Sequence, residues 1–94
     1  MPIKTIKHKG LRNLWYKNNP AGIKQSLVRK VSIRLSAIDA ATAVTDLANP
    51  AWRLHEHKGQ GKGVYSLDVA GNWRILFKYE GGNAFDVDLD DPHS

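Results

Sequence analysis

Residues 64–90 constrain the fold of this chain more than any other part of it. Three runs with β-type alternation stand there, Val64–Val69, Trp73–Tyr79 and Ala84–Asp90, separated by Ala70-Gly71-Asn72 and Gly81-Gly82-Asn83. Glycine beside asparagine supplies the positive φ of a tight hairpin, and period-two alternation needs one buried face. The segment therefore predicts an antiparallel meander. In its last run Phe85, Val87 and Leu89 are expected to point into the core, with Asp86, Asp88 and Asp90 toward solvent.

A sheet with one apolar face needs a cover, and the preceding residues supply it. Leu27, Val28, Val31, Leu35 and Ile38 recur at three- and four-residue spacing between Lys24 and Thr42. That spacing predicts an amphipathic helix about 28 Å long, with Lys24, Arg29, Lys30 and Arg34 on its non-core side. Leu11, Leu14 and Trp15 predict a shorter helix that begins after a break at Gly10 and ends near Asn18-Asn19-Pro20. Residues 3–7 read as an edge strand with its lysines outward. A helical turn over 43–48 is stopped by Asn49-Pro50, and Lys58–Gly63 reads as a mobile glycine loop. The expected architecture is a single α+β domain over residues 1–94. Its order is β-α-α-β-β-β, with two N-terminal helices packed on one face of a small, mainly antiparallel β-sheet.

Ninety-four residues suffice for one core and no more. Charge is unevenly placed along them. Residues 1–62 hold twelve Lys and Arg against three acidic side chains, whereas residues 63–94 hold two against six. The basic excess suits a polyanionic partner. The absence of cysteine removes disulfides, thiolate metal sites and a Cys nucleophile. No uncharged stretch exceeds six residues, so a transmembrane span is not expected. The basic N-terminus has no apolar run behind it, which argues against a secretory signal and for a cytoplasmic protein.

Four histidines are the groups that titrate nearest neutrality. His8, between Lys7 and Lys9, reads as surface charge or a loop anchor. His55 and His57 flank Glu56. The pair invites a zinc reading but lacks further ligands, and an extended segment is expected to turn the two rings opposite ways. His93 follows Asp90-Asp91-Pro92 and is either a frayed tail or a ring oriented by a carboxylate. One His near the glycine loop and one at the end of the sheet form a possible acid and base pair. Lys58 and Arg74 would supply positive charge where a phosphorane develops. That set is what a metal-free ribonuclease needs, yet each member has a plainer reading. Arg74 could equally pair across the sheet with Asp68 or Asp88. Lys58–Gly63 lacks the Gly-Lys-Ser/Thr of a phosphate-binding loop, and no serine-esterase motif is present.

Five pieces in order add a further reading. Ile3–Leu11 (Ile-Lys-Thr-Ile-Lys-His-Lys-Gly-Leu), Arg34–Thr42, Leu54-His55 with Lys58-Gly59, Asn72–Ile75 with Phe77, and Asp90-Asp91-x-His93 together resemble the HigB (plasmid maintenance killer) toxins of the RelE/ParE superfamily. The resemblance spans essentially the whole chain. It implies a RelE-like fold and the toxin of a type II toxin–antitoxin system. The implied activity is a ribosome-dependent mRNA endoribonuclease that cleaves in the A site without cofactor or metal, leaving a 2′,3′-cyclic phosphate and a 5′-hydroxyl. By the same match His55 and His93 are the acid/base candidates, Lys58 and Arg74 stabilise the scissile phosphate, and Asp91 orients or tunes His93. The implied partners are mRNA and the ribosome, and a HigA-like helix-turn-helix antitoxin. Operator DNA is bound only through the antitoxin complex, and no membrane is involved. Pro92 departs from the tyrosine common at its position, which removes a hydroxyl and a ring that would help position the substrate nucleotide.

Two other functions fit the same fold. A ParE-like inhibitor of DNA gyrase needs no acid/base pair, so matched histidines argue against it. A non-catalytic RNA- or ribosome-binding module would use the basic segment alone.

Overall fold

The computed structural model describes residues 1–60 and 63–91. Helix α1 spans Lys9–Lys17 and α2 spans Val28–Ala40. Four strands follow, β1 (His55–Glu56), β2 (Val64–Ala70), β3 (Trp73–Glu80) and β4 (Asn83–Asp90). They form one antiparallel sheet in the order β1-β2-β3-β4. The meander is the expected one, with β1 as an additional short strand on its outer edge.

The N-terminal segment is the second edge, and its lysines stay exposed as expected. Ile3 pairs with Ala84 and Ile6 with Val87, both in parallel. The Lys4 and Lys7 amides donate to the Ala84 and Val87 carbonyls at 2.8 Å. This segment meets a β-bulge in β4. Between the Leu76 and Lys78 pairings the register slips, and Asp86 takes a left-handed φ of 53°. Thr5 Oγ1 accepts the freed Asp86 amide at 2.8 Å. The extra residue inverts the alternation on one side of it. Ala84, Val87 and Leu89 are therefore the buried residues of β4, and Phe85 is only half-buried, contrary to the simple alternation.

Both helices lie over the inward face of the sheet. Leu11 and Leu14 of α1 and Val31, Leu35 and Ile38 of α2 share one core with Leu67, Val69, Ile75, Phe77, Val87 and Leu89. Burying each such side chain contributes about 1.5–3 kcal/mol. The first turn of α1 begins earlier than expected. His8 caps it, its Nδ1 accepting the Leu11 amide at 3.1 Å, so this histidine is an anchor of the helix start. Gly10 lies inside the helix and is no break. It is buried against Gly22, where a β-carbon on Gly10 would stand 2.3 Å from the Gly22 carbonyl oxygen.

α2 is shorter than the 24–42 periodicity implies. A 3-10 turn, Gln25–Leu27, precedes it, and it stops at Ala40. Beyond that point the Asp46 carboxylate accepts the Thr42 and Ala43 amides at 2.9 and 3.2 Å, which takes those donors away from the helix. The expected turn over 43–48 is the 3-10 turn Val44–Leu47. Lys58–Gln60 also forms a 3-10 turn, and residues 61–62 of the expected glycine loop lie outside the described residues.

Arg34 corrects the picture of a uniformly basic outer face. It is buried, donating from Nε to the Asp68 carbonyl at 2.7 Å and from Nη1 to the Lys30 carbonyl at 2.9 Å. Its guanidinium sits 5.1 Å from the Trp52 ring centroid, a cation–π contact. Burial works against its charge and the Asp68 carboxylate works for it. Arg34→Ala should lower stability by about 2 kcal/mol in denaturant titrations, because the buried Asp68 carbonyl loses a charged donor. A parent-like midpoint would show that water replaces the guanidinium at no cost.

Candidate active site

The outward face of the sheet carries the polar residues. Leu67, Ile75 and Leu89 point to the core, so Ser66, Asp68, Arg74 and Asp90 point away from the helices. His55 on β1 lies directly opposite Ser66 on β2, and Arg74 on β3 has Asp68 on one side and Asp90 on the other. A cleft of about 770 Å³ opens over them, lined by Arg53, Leu54, His55, Ser66, Asp68, Gly71, Asn72 and Arg74. Arg53 takes a left-handed φ of 48°, turning the chain from the Pro50–Trp52 turn into β1.

His55 and Arg74, assigned to different parts of the chain, thus share one cavity. Arg74 reaches Asp90 Oδ2 at 3.4 Å, so its acidic partner is Asp90 and not Asp68 or Asp88. Asp68 instead faces Arg53, 3.7 Å away. Only a third of the Arg74 side chain is exposed, and its Nε is buried with no hydrogen-bond partner among the described residues. A guanidinium with one long acidic contact and an unpaired N–H among the described residues suits an incoming oxyanion.

The two histidines of the His-x-His pair do not diverge. Residues two apart on an extended strand share a face, and the rings of His55 and His57 meet edge to face, their centroids 4.7 Å apart at 86°. His57 Nε2 lies 2.7 Å from Ser66 Oγ, itself buried. The His57 ring is pushed below the ordinary histidine range, first by burial, then by His55 and Arg74, with Asp90 pulling the other way. His57 is thereby biased toward its neutral form, while His55 is exposed at the cleft.

The remaining expected residues are distributed around this cleft. Lys58 is exposed on the turn after His57, outside the described lining. Asp91 lines a neighbouring depression with Lys24, Ser26 and Trp73, which shares Gly71 and Asn72 with the cleft. Pro92 and His93 lie outside the described residues. Sequence reasoning missed Ser66, Asp90 and the role of His57. The signal for Asp90 was present, since alternation puts it on the same face as Arg74; Ser66 carries none until the strand register is known.

Comparison with known proteins adds a second line. Residues 4–93 match the family described as RelE-like toxin of type II toxin–antitoxin system HigB. The chain is 38% identical over 91 residues to a protein named Endoribonuclease HigB from Proteus vulgaris, covering 97% of this chain and 99% of that one. It is also 37% identical over 75 residues to Toxin HigB-1 of Vibrio cholerae serotype O1, covering 79% of this chain and 74% of that one.

Proposed function

Since this chain belongs to the HigB-like toxins of type II toxin–antitoxin systems, we propose that it is an endoribonuclease that cleaves mRNA in the ribosomal A site. The observation that carries the reading is the meeting of His55 and Arg74 in one cleft on the open face of the sheet. The Proteus vulgaris relative, named an endoribonuclease and similar over the whole chain, supports the same reaction class.

The chemistry needs a base, an acid and a cation. One imidazole takes the proton of the 2′-hydroxyl, and that oxygen attacks the adjacent phosphorus. The bond to the 5′ oxygen breaks, and a second group protonates that oxygen as it leaves. The products are a 2′,3′-cyclic phosphate and a 5′-hydroxyl, with no net proton consumed. We assign the two proton transfers to His55 and His93. Arg74 and Lys58 hold the phosphorane, and Asp91 orients His93. Arg74 exchanges its long contact to Asp90 for the phosphate, which offers two oxygens to its planar fork. Lys4, Lys7, Lys9, Arg12 and Lys17, all exposed basic side chains save for the bonds Arg12 makes to the Ile6 and Lys7 carbonyls, give the polyanionic ribosome a basic surface. A helix-turn-helix antitoxin of the HigA type restrains the toxin, and operator DNA is reached through that complex.

Expression without an antitoxin should arrest growth and leave mRNA with 5′-hydroxyl ends mapped within codons that were being translated. SOS induction with intact mRNA would instead indicate gyrase as the target. Salt-dependent binding to ribosomes without cleavage would indicate a non-catalytic module.

A further inference from the structure

His57 stands outside the set assigned to the reaction, yet it sits against two residues that line the cleft, His55 and Ser66. Every strand of the sheet contributes a neighbour. β1 contributes His55, whose ring it meets edge to face, and β2 contributes Ser66, whose buried hydroxyl lies 2.7 Å from Nε2. Arg74 of β3 and Asp90 of β4 act on its charge in opposite directions. Glu56 and Lys58 flank it in the chain. A histidine exposed at a cleft rim has freely rotating χ angles, and a ring packed against it removes that freedom.

We propose that His57 is a positioning residue for His55: anchored by the buried Ser66 hydroxyl, its ring fixes the His55 imidazole in the cleft. The inference rests on the ribonuclease reading of that cleft. Ser66 sets the His57 tautomer, and the T-shaped contact sets the plane of His55. The arrangement works only while His57 is neutral. Burial and the flanking His55 and Arg74 keep it so, whereas Asp90 favours the proton. Protonating His57 beside a charged His55 places two cations 4.7 Å apart and removes the lone pair through which Nε2 could accept from Ser66.

The test combines ring titration with kinetics on the full chain. In the free protein, NMR should show His57 titrating below the ordinary histidine range and Ser66→Ala changing its tautomer; a His57 ring that titrates above that range overturns the proposal whatever the protein cleaves. On translating ribosomes, Ser66→Ala should lower kcat about tenfold with KM unchanged, and Ser66→Thr, which keeps the hydroxyl, should restore it. His57→Gln keeps a partner for Ser66 but neither the ring nor the proton. It should lower kcat similarly and erase the most acidic step of the rate–pH profile, leaving the steps at higher pH in place. A Gln variant with the parent's kcat and acid limb overturns the proposal. Should the parent itself leave mRNA intact, the ribonuclease reading fails, and the ring titration still decides whether His55 and His57 are coupled.

Discussion

Replacing His55 with alanine is expected to abolish growth arrest and slow mRNA cleavage by about a hundred- to a thousandfold, the scale of a lost acid–base group. His55 is the imidazole that lines the cleft beside Arg74, while its neighbour His57 is engaged by Ser66 and biased toward its neutral form. The substitution removes a side chain at the mouth of an open cleft, so folding should be untouched and far-UV circular dichroism should match the parent. Ribosome binding should persist as well, because the exposed lysines of the N-terminal half are unchanged. His93→Ala should behave alike if the second proton is carried from the tail. Growth arrest at the parent's strength by both variants would remove the two imidazoles from the reaction and leave Arg74 and Lys58 as a binding surface only.

The largest stability effect is expected at Gly10→Ala, and its sign runs against helix propensity. Alanine in place of glycine inside a helix ordinarily adds about 1 kcal/mol. Here the added β-carbon would meet the Gly22 carbonyl oxygen at 2.3 Å and its carbon at 2.8 Å, both backbone atoms of a loop pinned by the neighbouring Ile23. Backbone cannot rotate aside as a side chain can, so α1 must lift off or the 18–24 loop must move. We expect a loss of about 3 kcal/mol, which for a domain of this size lowers the melting temperature by about 15 °C. Gly22→Ala should cost a comparable amount, since its β-carbon would stand 2.8 Å from Gly10 Cα. A Gly10→Ala protein as stable as the parent would show that the contact yields freely.

Local patterns made the secondary structure legible. Alternation and turn residues located β2, β3 and β4, and three- to four-residue spacing located both helices, because those signals depend on neighbours in the chain. What failed depended on distant partners. Phe85 left the core because Thr5, 81 residues before Asp86, accepts the amide of a bulge that period-two counting cannot foresee. Arg34 turned inward because a β2 carbonyl and the Trp52 ring wait there. The α2 boundary moved because Asp46 claims the next amides.

The site divides in the same way. Residue types and the family resemblance singled out His55 and Arg74, and the sheet brings them into one cleft. Which carboxylate faces Arg74 is a matter of strand register, and register gave Asp90. The orientation of His57 followed from the pleat: two residues along a strand means the same side, so the rings had to meet.

The parallel pairing of residues 3–6 with residues 84–87 has a consequence for biosynthesis. Residues 3–6 are synthesised long before residues 84–87, in which they find their partner, and Arg74 and Asp90 also come late in the order of synthesis. A nascent chain therefore cannot close its sheet edge or assemble its cleft while most of it is still being made. Long-range closure of this kind is slow compared with helix formation. The apolar faces of the two helices therefore wait, uncovered, until the last strands have been made.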